Sequence, residues 1–182
     1  MPRRLYLFDQ PERFVAGTVG EPGNRTFFLQ ARDRSRITSV VLEKVQVAVL
    51  ADRLNQLLDE LERRGIAGSA GEPAADVAPL DEPVVEAFRA GTLTLGWDGD
   101  SESILVEARE QTGDDEDDEE PDDDDVDGPD LFRVQLEAGA ARAFVERAVS
   151  LVAAGRPPCP LCGQPLDPQG NICPRRNGHY VN

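Results

Sequence analysis

The chain repeats itself, and the repeat constrains its fold more than any other feature. Phe14-Val-Ala-Gly-Thr18 returns as Phe88-Arg-Ala-Gly-Thr92, and Phe27-Phe-Leu-Gln-Ala-Arg32 is paralleled by Ile104-Leu-Val-Glu-Ala-Arg109. Leu42-Glu43 with Ala51-Asp-Arg53 is then paralleled by Leu136-Glu137 with Val145-Glu-Arg147. The three matches keep their order, which is the signature of a duplicated unit. Each unit reads as strand, strand, strand, helix. Phe27, Leu29 and Ala31 alternate as a half-buried strand requires, and Val40 and Leu42 continue the pattern. Leu50, Leu54, Leu57, Leu58 and Leu61 then fall on one helical stripe, ended by Arg63-Arg64-Gly65. In the second unit Leu93, Leu95 and Trp97 alternate and Asp98-Gly99 turns the chain. Ile104, Val106 and Ala108 form the next strand, then Phe132, Val134 and Leu136, then a helix with Phe144, Ala148, Leu151 and Val152 inward. Leu5-Tyr-Leu-Phe8 adds a strand in front of the first unit.

An apolar strand face needs a cover, and one amphipathic helix per unit supplies it. The expected fold is α+β: two pseudo-duplicated strand–strand–strand–helix units forming an antiparallel sheet of six or seven strands, covered on one side by two helices. The first unit spans 1–65, a Gly/Ala/Pro-rich and mobile linker spans 66–80, the second unit spans 81–155, and a zinc-ribbon-like tail spans 156–182.

Charge enters the argument at the longest interruption of the repeat. The run DDEDDEEPDDDDVDGPD, from Asp114 to Asp130, holds thirteen acids and no base, and accounts for all but −3 of the net charge of −16. Such a segment repels itself and carries almost no apolar area, so it reads as a disordered loop over 110–130 between two strands. It solubilises the chain or docks a basic partner. Its spacing does not fit a calcium-binding helix–loop–helix, which needs a central glycine and a closing glutamate.

The tail carries the chemistry. All three cysteines and the only histidine fall between Cys159 and His179. Cys159-Pro-Leu-Cys162 brings two ligands to one ion, and Cys173 and His179 follow after ten and five residues. Three thiolates and an imidazole form a closed tetrahedral set, which is the pattern of one structural Zn2+; catalytic zinc keeps a position open for water. Free thiols in an unstructured tail are the bland alternative. A redox dithiol is weaker still, because a thioredoxin-type pair opens a helix after a strand, whereas this one sits among prolines. A tail this short and rich in proline has no core of its own, and the ion substitutes for one.

Arg175 and Arg176 lie on the second half of that tail, but no basic run and no interleaved stacking aromatics accompany them. The acidic tract would repel phosphates. A protein partner is therefore favoured over nucleic acid. No apolar run approaches the ~20 residues that span a bilayer, and MPRRLYLFDQPERF lacks the apolar stretch of a signal peptide. A cytoplasmic protein is expected. No phosphate-binding loop, nucleophile elbow or dinucleotide fingerprint is present in the sequence. Glu43 and Glu137, at equivalent points of the two units, are the only candidates for paired acid–base work, and both also sit where a carboxylate would begin a helix. An enzyme would use a cleft between the units with Glu43, Lys44 and Arg25 near it. A regulator would touch nucleic acid through Arg175 and Arg176. The reading favoured over both is a non-enzymatic, zinc-binding adaptor.

Phe14-Val-Ala-Gly-Thr-Val-Gly-Glu-Pro-Gly-Asn-Arg25, Leu42-Glu-Lys-Val-Gln46 and the tail from Arg156-Pro-Pro-Cys159 to His179 resemble the uncharacterised actinobacterial domain-of-unknown-function family 3090. The resemblance covers nearly all of the chain outside the acidic loop and the Ala-rich linker. It implies a cytoplasmic bacterial protein and no activity, and it carries no zinc assignment.

Overall fold

A computed structural model of the chain describes residues 2–21, 24–66, 76–113 and 128–154. The elements run β1 (Leu5–Asp9), β2 (Arg13–Val19), β3 (Thr26–Asp33), β4 (Arg36–Leu42), α1 (Lys44–Arg63), β5 (Glu86–Asp98), β6 (Ser103–Glu110), β7 (Leu131–Leu136) and α2 (Ala138–Ala153). The leucine stripe of α1 is buried at Leu50, Leu54, Leu58 and Leu61. The helix stops where Gly65 takes a positive φ of 67°, a conformation that side chains with a Cβ resist.

All seven strands join one sheet in the order β1-β7-β6-β5-β4-β3-β2. The sheet is mixed, not antiparallel as expected. β2-β3-β4 and β5-β6-β7 are antiparallel meanders, but β4 pairs β5 in parallel and β1 pairs β7 in parallel. The physical reason is the helix between β4 and β5. A chain that leaves a strand through a helical crossover returns running the same way.

The sheet also has to curl. β1 and β2 stand at opposite ends of the strand order, yet only residues 10–12 connect them. Laid flat, seven strands would hold their outer members about 29 Å apart. Four Cα steps reach about 15 Å. Closure is therefore forced, and the aromatic residues fill it. The Phe132 ring on β7 lies 5.8 Å from Phe8 on β1 and 6.4 Å from Phe14 on β2. Phe144 of α2 stacks on Phe14 at 4.7 Å. Arg36 caps the β1 side, donating to the Leu7 carbonyl at 2.8 Å with its guanidinium 4.2 Å over the Phe8 ring. β5 bends through a register shift between Ala90 and Thr92, so its first residues pair with β4 and the rest with β6.

Both helices lie on the concave side. Leu54 and Ala148, each fully buried, belong to the same core as Phe14, Leu29, Val40, Ile104, Val106 and Phe132. Arg142 of α2 ties the helices together through Asn55 at 2.6 Å and Asp59 at 2.7 Å. The convex side of β2-β3-β4 carries a second, smaller cluster of Val15, Phe28 and Val41, covered by Leu80 and flanked by Val84. Gly17 makes that contact possible, since a Cβ there would collide with the Leu80 side chain. The Glu110 amide donates to the Asp130 carbonyl at 2.9 Å where β6 and β7 part, and residues 114–127 of the acidic tract expected to be a disordered loop lie outside the described residues.

Candidate functional site

The four expected zinc ligands, Cys159, Cys162, Cys173 and His179, lie outside the described residues, as do Arg175 and Arg176. Glu43 and Glu137 are described, and each is the N-cap residue of its helix. The Glu43 amide donates to Gln46 Oε1 at 2.8 Å, and its carboxylate pairs with Arg89 at 2.8 Å. The Glu137 amide instead donates to Gln10 Oε1 at 3.2 Å. Among the described residues no hydrogen bond or ion pair joins the two carboxylates. Lys44 opens α1, and Arg25 lies 5.3 Å over the Phe27 ring. A cavity of about 700 Å³ does lie between α1 and α2, but Ala51, Asp52, Asn55, Val145 and Glu146 are among its lining and none of Glu43, Lys44 or Arg25 is.

Among the described residues, the densest polar cluster is one that sequence reasoning missed. Arg13 and Arg32 face one another across β2 and β3, a placement that like charges disfavour unless an anion stands between them. Asp81 supplies it, 3.0 Å from Arg13 Nη1 and 3.1 Å from Arg32 Nε. Arg13 turns the rest of its fork to Asp76, with Nε donating to Oδ2 at 2.6 Å and Nη2 to Oδ1 at 3.1 Å. Such a two-point pairing is the strongest that guanidinium makes with carboxylate. Arg147 reaches round the sheet edge from α2. It donates to the Ala16 carbonyl of β2 at 2.7 Å and to the carbonyls of Asp76 and Ala78 at 2.6 Å each. Gln30, almost wholly buried on β3, completes the set. Its Nε2 donates to the Asp81 carbonyl at 3.0 Å and its Oε1 accepts from the Asp81 amide at 2.8 Å.

The segment 76–84 is thus strapped to the sheet. Of the linker expected to be mobile over 66–80, residues 67–75 lie outside the described residues and 76–80 are held against the sheet, because composition describes the strap and not the arginines waiting for it. The signal in the sequence was the pair Asp76 and Asp81 bracketing Val-Ala-Pro-Leu, an apolar stretch framed by charge.

The electrostatics follow from the geometry. Hydrogen bonding to Arg13 holds the Asp76 carboxyl below its ordinary value, with burial opposing and the Ala78 amide and the charges of Arg13 and Arg147 adding. Arg13 is raised by the same bond to Asp76, against burial. Arg147 is lowered, first by burial and then by the like charge of Arg13, with Asp76 opposing. A carboxyl depressed on folding contributes stability that is complete above its ordinary value of 3.8 and disappears as pH falls through the lower folded value. Asp76→Asn should therefore destabilise the chain at pH 7 and lose its effect in acid. The side chain is a third exposed, so screening keeps the difference to about 1 kcal/mol. Urea midpoints of both proteins at pH 7 and well below pH 3.8 measure it. A gap that persists unchanged into acid would exclude Asp76 as the titrating group.

A curled, mixed seven-stranded sheet backed by two helices on its concave side, with an arginine-bound strap on its convex side, defines an α+β protein. Among the described residues no helix is long and apolar enough to cross a membrane. The chain belongs to the family described as Protein of unknown function (DUF3090), whose model matches residues 6–173. The match takes in Cys159, Cys162 and Cys173 and ends before His179. No curated protein and no solved structure matches the chain.

Proposed function

We propose that this protein is a zinc-stabilised, non-enzymatic module that acts in the cytoplasm by binding another protein. The observation that carries the reading is the ligand set Cys159, Cys162, Cys173 and His179. Four protein ligands fill a tetrahedral zinc shell and leave no place for a reacting water, so the ion orders a surface instead of performing chemistry. The duplicated β-β-β-α units serve as the scaffold, and the zinc-ribbon-like tail and acidic tract are the surfaces it presents. Two features support a partner other than nucleic acid. Thirteen carboxylates in one tract repel phosphate, and Arg13, Arg32 and Arg147 are engaged within the fold.

Affinity capture with the wild-type chain and with Cys162→Ser tests the proposal. The wild type should retain a protein in a defined stoichiometry by native mass spectrometry, and the variant should lose it. Retention of DNA or RNA that declines steeply with salt, or turnover of a small metabolite, would overturn it.

A further inference from the structure

We infer that the convex face of β2 and β3 is a recognition groove for a non-helical acidic–apolar peptide, and that residues 76–84 occupy it in cis. The strap is seated as a bound peptide would be. It contributes no helix or strand of its own. Its main chain is read at three places, by Arg147 at the carbonyls of Asp76 and Ala78 and by the Gln30 amide at both the N–H and the C=O of Asp81. Its side chains are read at three more. Asp76 enters the fork of Arg13, Asp81 bridges Arg13 and Arg32, and Leu80 drops onto Val15, Phe28 and Val41 over the bare backbone of Gly17. The groove thus specifies carboxylate, three spacers, leucine, carboxylate in a chain that turns at Ala78, whose amide donates back to Asp76 Oδ1 at 3.0 Å.

The hold on the strap is also separable from the fold. Leu80 is the one buried strap side chain of the small convex cluster, with Val84 packed at its flank, while Val77 is 91% exposed and the Asp76 and Asp81 carboxylates are each about a third exposed. The main core lies on the other face and includes no residue of the strap. A segment held by one buried apolar anchor, the flanking Val84, the Gln30 amide and ion pairs with partly solvated carboxylates opens at lower free energy than the large core on the other face. A partner carrying the same pattern can then take its place, by meeting the same main-chain and side-chain anchors.

The proposal rests on the protein-interaction half of the proposed function and is tested apart from it. The full chain is prepared as wild type, as Asp76→Ala with Asp81→Ala, and as that pair with Arg13→Glu, and each is titrated against a labelled peptide of sequence DVAPLDEPV. The strap-weakened chain should bind at least tenfold more tightly than wild type, and Arg13→Glu should abolish the binding. No saturable binding to the folded strap-weakened chain, or equal binding with and without Arg13, would overturn the groove. Should the double variant fail to fold, hydrogen exchange on the wild type decides. The Asp81 amide should exchange at least a hundredfold faster than the amides of β3, and exchange in step with β3 would make the strap a permanent part of the fold. A partner captured equally by wild type and by Arg13→Glu would leave the interaction reading standing while overturning this groove.

Discussion

Replacing Phe132 with alanine should destabilise the chain by about 3–5 kcal/mol, the range for deleting a fully buried aromatic ring. Phe132 is completely inaccessible, and its position explains why the effect should be large. The ring lies between Phe8 of β1 and Phe14 of β2, so it touches both ends of the strand order at once. Neighbouring side chains cannot collapse into the vacated space easily, because the short link over residues 10–12 already fixes the two edge strands. Urea unfolding with an unchanged m-value is the measurement. For a domain of this size the melting temperature should fall by on the order of 10 °C. Leu54→Ala, on the helix side of the same core, is the comparison and should cost about 2–5 kcal/mol. A loss below about 1 kcal/mol at Phe132 would mean that the curl is held by its connections and not by the aromatic seam.

The seam also marks the limit of what the sequence shows. Alternation at Phe27, Leu29 and Ala31 and at Ile104, Val106 and Ala108 states which face of a strand is buried, and all six positions are buried. The leucine stripe of α1 and its stop at Gly65 were legible for the same reason, since periodicity and a positive φ are local properties. Neither pattern says which strand lies beside which, or in what direction. The parallel joints β4–β5 and β1–β7, and the closure that brings Phe14 to Phe132, arise from connectivity. The strap failed to show for a related reason. Arg13 and Asp76 are far apart in the chain, and each reads alone as an ordinary surface charge. Glu43 and Glu137 showed the opposite. The sequence offered them as a carboxylate pair, and the structure makes each the N-cap residue of its helix.

The other large effect is expected in the tail. Wild-type protein purified without chelator should carry one equivalent of zinc, and Cys162→Ser should carry essentially none. The argument is cooperative. On the proposed zinc reading, Cys159 and Cys162, two residues apart, would meet one ion, and Cys173 and His179 would have to be delivered across segments rich in proline and glycine. Segments of that composition carry little apolar area, so the ion itself would supply the ordering free energy. Losing one thiolate removes a ligand and also the reason for the other three to converge. The sheet should be indifferent to this loss. Its core is assembled from residues between Phe8 and Ala148, with Leu151 and Val152 packed against it, so the unfolding midpoint of the folded body should remain within experimental error after chelation. Amide exchange beyond residue 156 should rise at the same time, while exchange in β3 and β6 stays put. Elemental analysis, a thiol titration and the exchange profile therefore give three separate readings. Well below one equivalent of metal in the untreated protein would overturn the zinc assignment. Zinc retained in full by Cys162→Ser would overturn the four-ligand set.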